Sequence, residues 1–177
     1  MEPFRYRIGK TVPLQLTEIK SFIEPLFYTI IFQRDIYNSE YKTISSDIMD
    51  LEYPKTEEKT IKSLVEKKTK DIADFFNGNS KEQECLVIVS TQNEIWELII
   101  QIEKEKKQKY GVSIELSEKR REELTENAKQ IIIELVSQTQ LNSKSIAHLP
   151  KPEFKIETPK EKRSGFSLFE ILPITQK

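Results

Sequence analysis

The sequence predicts an α+β domain in which three helices pack on one side of a mainly antiparallel sheet. Two observations predict it. Apolar residues switch along the chain between a period of two and steps of three and four, in the order strand, helix, strand, helix, hairpin, helix, strand. The chain has 177 residues, of which 37% are apolar and 32% charged, enough apolar surface for one core of ordinary size and too little length for two. Residues 1–177 are therefore expected to form a single domain, with 153–177 as a short C-terminal segment beyond a Pro-rich link.

Phe4, Tyr6 and Ile8 alternate with Arg5 and Arg7 as in a strand with one wet face, which Gly9 and Pro13 are expected to end. Ile19, Phe22, Ile23, Leu26, Phe27, Ile30 and Ile31 then form a helical stripe, with Thr17 the candidate N-cap. Pro25 lies inside that stripe without shifting its phase, so a kink is expected there and not a break. The stretch from Asp35 to Pro54 reads as a polar loop followed by a short edge-like strand carrying Met49, Leu51 and Tyr53. A second helix is expected over about 57 to 77, closed by Asn77-Gly78-Asn79. Two apolar runs, Leu86 to Val89 and Ile95 to Ile102, flank Ser90-Thr91-Gln92-Asn93 and predict a hairpin that puts Trp96, Leu98, Ile100 and Ile102 on one face.

Glu103 to Ser117 is charged, although Val112, Ile114 and Leu116 alternate and could extend a strand. Ser117 caps the third helix. Leu124, Ala128, Ile131 and Leu135 fall on one line when each residue turns by about 100°; Ile132 flanks the line, Val136 lies off it, and Ile133 points to the opposite side. This helix therefore carries apolar side chains on two faces. The stiff link His148-Leu149-Pro150-Lys151-Pro152 leads to a charged stretch and a final apolar segment, Phe166 to Ile174, greasy on both faces.

The same residues argue against most chemistry. One His (His148) and one Cys (Cys85) exclude an intrachain disulfide and a multi-ligand Cys/His metal site, and Gly9, Gly78, Gly111 and Gly165 are isolated, so no phosphate-binding loop is formed. His148 reads as a surface or packing residue and Cys85 as a buried strand residue. No catalytic, cofactor or metal residue is assigned. A net charge of −1, with 28 basic and 29 acidic residues, lacks the basic field of a nucleic-acid binder. The run Lys104, Lys106, Lys107, Lys109 is diluted by Glu103 and Glu105 and reads as solvated. No apolar run is long enough for membrane insertion and the N-terminus lacks a signal-peptide core, so a soluble intracellular protein is expected. What stands above background is the two-faced third helix and the apolar C-terminal segment, both suited to an interaction module.

Taken in order, the first strand, Q-L-T-E-I-K-S-F-I-E-P-L-F, D-I-M-D-L-E-Y, T-E-E-K-T-I-K-S-L-V, E-I-W-E-L, the long third helix and H-L-P-K-P resemble the autophagy-related protein 101 family of the HORMA-domain superfamily over most of residues 1 to 155. The resemblance implies a HORMA-like domain with no active site and no cofactor, whose residues 153–177 form a belt-like segment. It implies a partner, the HORMA domain of autophagy-related protein 13, and membership of the autophagy-initiating kinase complex, in the cytoplasm and at the preautophagosomal structure. HORMA dimers of the resembled families pair through the third helix, which implies Lys129, Ile133, Val136 and Gln140 as partner-binding residues. Two departures are visible. The hairpin turn has no aromatic pair where animal members carry a Trp-Phe finger, so no recruitment site is carried over, and the C-terminal segment is short for clamping a peptide. The competing readings are a peptide-clamping HORMA adaptor of checkpoint or DNA-repair type, and a small α+β enzyme built on a shifted acid pair in a pocket.

Overall fold

The computed structural model describes residues 2–34, 39–79, 81–103, 116–146 and 154–159. In chain order these form β1 (Phe4–Lys10), α1 (Ile19–Arg34), β2 (Tyr41–Ser45), β3 (Glu52–Thr56), α2 (Lys59–Gly78), β4 (Glu84–Ser90), β5 (Glu94–Gln101), α3 (Glu118–Ile146) and β6 (Lys155–Glu157). The main sheet has the order β1-β5-β4-β6, parallel only between β1 and β5, and β2 with β3 makes a separate antiparallel ribbon. This is the expected α+β arrangement of three helices with a mainly antiparallel sheet, as in a HORMA-like fold.

The hairpin matches its pattern. Cys85, Val87 and Val89 on β4 and Trp96, Leu98 and Ile100 on β5 point into one core, because successive strand side chains alternate between faces. Ile102, expected on the same face, follows the end of β5 and is only half-buried. The core is completed by the stripe of each helix: Phe22, Leu26 and Phe27 of α1, Ile61, Val65 and Ile72 of α2, and Leu124, Ala128, Ile131 and Leu135 of α3. Helix α1 is the central one, buried over nearly its whole circumference, and it runs unbroken through Pro25. The turn between β4 and β5 is tight: Thr91 N–H donates to the Glu94 carbonyl at 2.9 Å and Asn93 N–H to Thr91 Oγ1 at 3.3 Å.

Several local expectations are corrected. Strand β1 passes through Gly9 to Lys10, absorbing the glycine in a register slip between Arg7 and Lys10. Glu18 stands where Thr17 was expected to cap α1: its carbonyl receives Phe22 N–H at 2.9 Å and its carboxylate receives Gln15 N–H at 2.9 Å. Helix α2 starts two residues late because Glu58 caps it, its carboxylate accepting from Thr60 and Ile61 N–H at 3.1 and 2.8 Å. Its stop is as expected, with Asn79 N–H on the Phe76 carbonyl at 3.2 Å. The strand assigned to Met49, Leu51 and Tyr53 begins at Glu52, and Met49 is buried from the turn before it. Strand β2 lies in the stretch read as a polar loop, and β6 in the charged stretch after the Pro-rich link. The possible strand at Val112 and Ile114, the lysine run from Lys104, His148 and the segment Phe166 to Ile174 all lie outside the described residues.

Strand β1 is an edge strand, and α3 covers it. Asn127 Oδ1 accepts from Val12 N–H at 2.8 Å, Asn127 Nδ2 donates to the Lys10 carbonyl at 3.3 Å, and the Glu134 carboxylate accepts from Gly9 N–H at 3.2 Å. Side chains of one helix thus satisfy backbone groups that an unpaired strand edge leaves open.

Candidate protein interaction surface

Helix α3 starts as its sequence requires: Ser117 Oγ accepts from Arg120 N–H at 3.2 Å, and its carbonyl from Arg121 N–H at 3.0 Å. From there it is tied down turn by turn on its inner side. Arg120 forks onto Glu18, with Nε to Oε1 at 3.0 Å and Nη2 to Oε2 at 2.6 Å, and also donates to the Pro13 carbonyl at 2.7 Å. Glu18 is buried, so this is a bidentate, desolvated ion pair, and the hydrogen bonds to its carboxylate hold the Arg120 guanidinium in its charged form, well above its ordinary range. Arg121 reaches the Asp47 carbonyl at 2.8 Å, and Thr125 Oγ1 accepts from Asp50 N–H at 2.9 Å.

Near its other end, α3 is held by Arg34, the last residue of α1. Arg34 makes a two-pronged contact with the Glu94 carboxylate and donates through Nη2 to the Thr139 carbonyl at 2.9 Å. Glu94 is 1% exposed and also accepts from Tyr6 Oη at 2.7 Å. The Arg34 guanidinium lies 5.9 Å from the centre of the Trp96 ring, which stacks on Tyr6 with centroids 5.6 Å apart. One buried cluster therefore joins β1, α1, the start of β5 and α3.

With its inner side occupied, α3 presents the other side outward. Lys129, Ile133, Val136 and Gln140 follow at steps of four, three and four, one continuous stripe. Ile133 is 65% exposed; Lys129 and Gln140 are exposed, and Val136 is half-buried. Lys129 Nζ is 3.6 Å from Glu126 one turn back, a weak surface pair. The structure thus brings these four residues together on one face, while Ile132 leans into the core as its angle predicts. Sequence reasoning missed Leu141, 82% exposed, and Phe32 on α1, 45% exposed and edge-on to Tyr41. The angular arithmetic that found Ile133 places Leu141 about 120° off the buried stripe, so the signal for it was present.

Three further features of the described residues bear on chemistry. No three His, Cys, Asp or Glu side chains come together as metal ligands there. Cys85 is buried, which pushes its thiol up to about 12. A cleft of about 350 Å³ opens beside the start of α3 between Gln15, Glu103 and Glu123, but its carboxylates are spent on Arg120, at 3.6 and 2.8 Å. No described helix is long and apolar enough to cross a membrane.

No curated protein matches the chain. The family description "Autophagy-related protein 101" matches residues 11–134, from the end of β1 into the middle of α3, taking in Lys129 and Ile133 and stopping just short of Val136 and Gln140. That match covers more than two thirds of the chain and agrees with the resemblance carried by its own motifs: the chain belongs to the autophagy-related protein 101 family.

Proposed function

We propose that this autophagy protein is a non-enzymatic adaptor that pairs through the outer face of α3 with the HORMA domain of autophagy-related protein 13, and so serves the autophagy-initiating kinase complex. The observation that carries the reading is Ile133: a large apolar side chain 65% exposed at the centre of a helix whose opposite side is fixed to the fold at every turn. Such a helix is a rigid platform, so docking on it requires little reordering. In this reading Lys129 and Gln140 form a polar rim around Ile133 and Val136. The site of action is the cytoplasm and the preautophagosomal structure. The three-residue turn Thr91 to Asn93 holds no aromatic side chain, and no recruitment role is assigned to it.

Ile133→Asp tests the proposal. The substituted side chain stays in water in the free chain, so the melting temperature is expected to remain unchanged. At an interface the same carboxylate is desolvated without a partner and costs about 2–4 kcal/mol, roughly thirty- to a thousandfold in affinity. Co-elution with the partner HORMA domain is lost. A variant that still co-elutes with undiminished affinity, or that melts early as a free chain, overturns the assignment of this face.

A further inference from the structure

The side chains of α3 satisfy the edge of β1 over only part of its length. Asn127 meets Val12 and Lys10, and Glu134 meets Gly9, so the helix runs antiparallel to the strand and reaches its edge from positions seven apart on one side. Seven residues of helix advance about 10 Å, as far as about three residues of strand. The next member of that series is Leu141, which arrives at the level of Arg5 to Arg7. Its side chain has no group to donate or accept, and it is 82% exposed.

Before Gly9 the edge is open. Phe4 N–H donates to the Asn93 carbonyl at 2.8 Å, so Phe4 and Tyr6 turn their backbone groups to β5, and Arg5 and Arg7 turn theirs the other way. Strand β1 pairs with β5 alone, and among the described residues nothing hydrogen-bonds to the outer backbone groups of Arg5 and Arg7. Their side chains stand on the face of the sheet away from the helices, 46% and 82% exposed, and share the one carboxylate of Glu97, which is 3.6 Å from Arg7. One positive charge is in surplus at this edge.

A strand added here has both its faces specified. Residues beside Arg5 and Arg7 lie on their face and meet the surplus charge, whereas the residues between them turn to the helix side and meet Leu141. Acidic and apolar side chains in alternation fit both. A second copy of β1 does not, because it sets arginine beside arginine, and like charges across a strand pair repel.

We propose that the edge of β1 at Arg5 and Arg7 is a docking site for an extended segment of another protein, which adds to the sheet as a further strand with acidic residues beside the two arginines and an apolar residue on Leu141. The site makes no use of Lys129, Ile133, Val136 or Gln140 and does not depend on the role of the α3 stripe.

The probe is a fluorescein-labelled synthetic peptide, Gly-Leu-Glu-Val-Glu-Leu-Gly, titrated with the full chain and read by fluorescence anisotropy. The peptide is expected to bind, and exchange of both its glutamates for lysine to weaken binding about tenfold or more. Methylating the backbone nitrogens of its central residues removes the donors of an added strand and is expected to abolish binding. Arg7→Glu and Leu141→Asp, both at exposed side chains, should each weaken binding about fivefold or more, and Ile133→Asp should leave it unchanged. Absence of binding up to about 1 mM, equal affinity for the lysine peptide, or undiminished affinity for the methylated one overturns the proposal. Those arms alter the peptide alone and hold whether or not a variant folds. Undiminished binding by a folded Arg7→Glu chain overturns it as well, and loss of the peptide on Ile133→Asp would move the site to the α3 stripe and do the same. If light scattering shows the chain alone to be a dimer that Leu141→Asp dissociates, the edge belongs to a second copy and the proposal is wrong.

Discussion

Replacing Arg34 by Met removes a guanidinium whose side chain is 9% exposed and leaves the Glu94 carboxylate, 1% exposed, with the Tyr6 hydroxyl as its one remaining side-chain partner among the described residues. Breaking a buried ion pair from one side costs about 3–5 kcal/mol, most of it the stranded charge. Loss of the bond to the Thr139 carbonyl adds about 1 kcal/mol, and the contact with Trp96 at 5.9 Å somewhat less. A loss of about 4–5 kcal/mol is a large part of the roughly 5–15 kcal/mol that holds a domain together, and lowers the melting temperature by roughly 8–20 °C in a chain of this size. Urea denaturation followed by Trp96 fluorescence measures it. The second arm is Arg34→Met with Glu94→Met: with both charges gone, stability is expected to return to within about 2 kcal/mol of the parent, because an apolar pair of similar volume often replaces a buried ion pair at little cost. A single variant that loses less than about 1 kcal/mol, or a double variant no better than the single one, refutes the view that an unpaired Glu94 charge is the damage.

Trp96→Ala empties the space of the chain's one tryptophan, fully buried against Tyr6, and is expected to cost about 3–5 kcal/mol by urea denaturation; a fully stable variant defective only in partner binding would contradict the core placement. Glu58 has its carboxyl held below the usual range by the Ile61 and Thr60 N–H groups. Because its folded-state value is the lower one, its contribution is present at neutral pH and lost as the pH falls through that value. Glu58→Gln should therefore melt below the parent at pH 7, and the gap should close as the pH falls through the folded-state value; a gap independent of pH would show that charge at this cap is immaterial. Cys85 should react slowly with thiol reagents at pH 8 and at ordinary speed in urea, since burial pushes its thiol up to about 12; fast reaction of the folded chain would place it at the surface.

The main sheet and helices were legible where the chain repeats itself. Alternation of Val87, Val89, Trp96, Leu98 and Ile100 reads as a strand face because each of those residues must reach the same core, and the stripe Leu124 to Leu135 reads as a helix for the same reason. Ile133 stood out by the same arithmetic, read in reverse. Strand β2 carries too little burial to leave a pattern: of Tyr41 to Ser45 none is fully buried, and the ribbon's buried residues are Tyr53 and Thr56 of β3, with Ile44 only half-buried against the core and Tyr41 edge-on to Phe32. Strand β6 has three residues, and its existence depends on an edge supplied by Ile88 to Ser90, about seventy positions away. The ion pairs were invisible for a different reason. Glu18 with Arg120, and Arg34 with Glu94, are 102 and 60 residues apart, and in a chain with 28 basic and 29 acidic side chains nothing local marks the few that are buried.

The seal that Asn127 and Glu134 place along β1 gives α3 a second duty. A three-contact clamp of amide and carboxylate holds shut a parallel-paired border that would otherwise be free to template foreign chain. The proposed docking face and the guard against cross-chain strand addition then lie on the same helix, so any event that pries it loose withdraws both together. If α3 is the docking face, a variant that loses partner binding through movement of α3, not through change at Ile133, should be recognisable because it also aggregates.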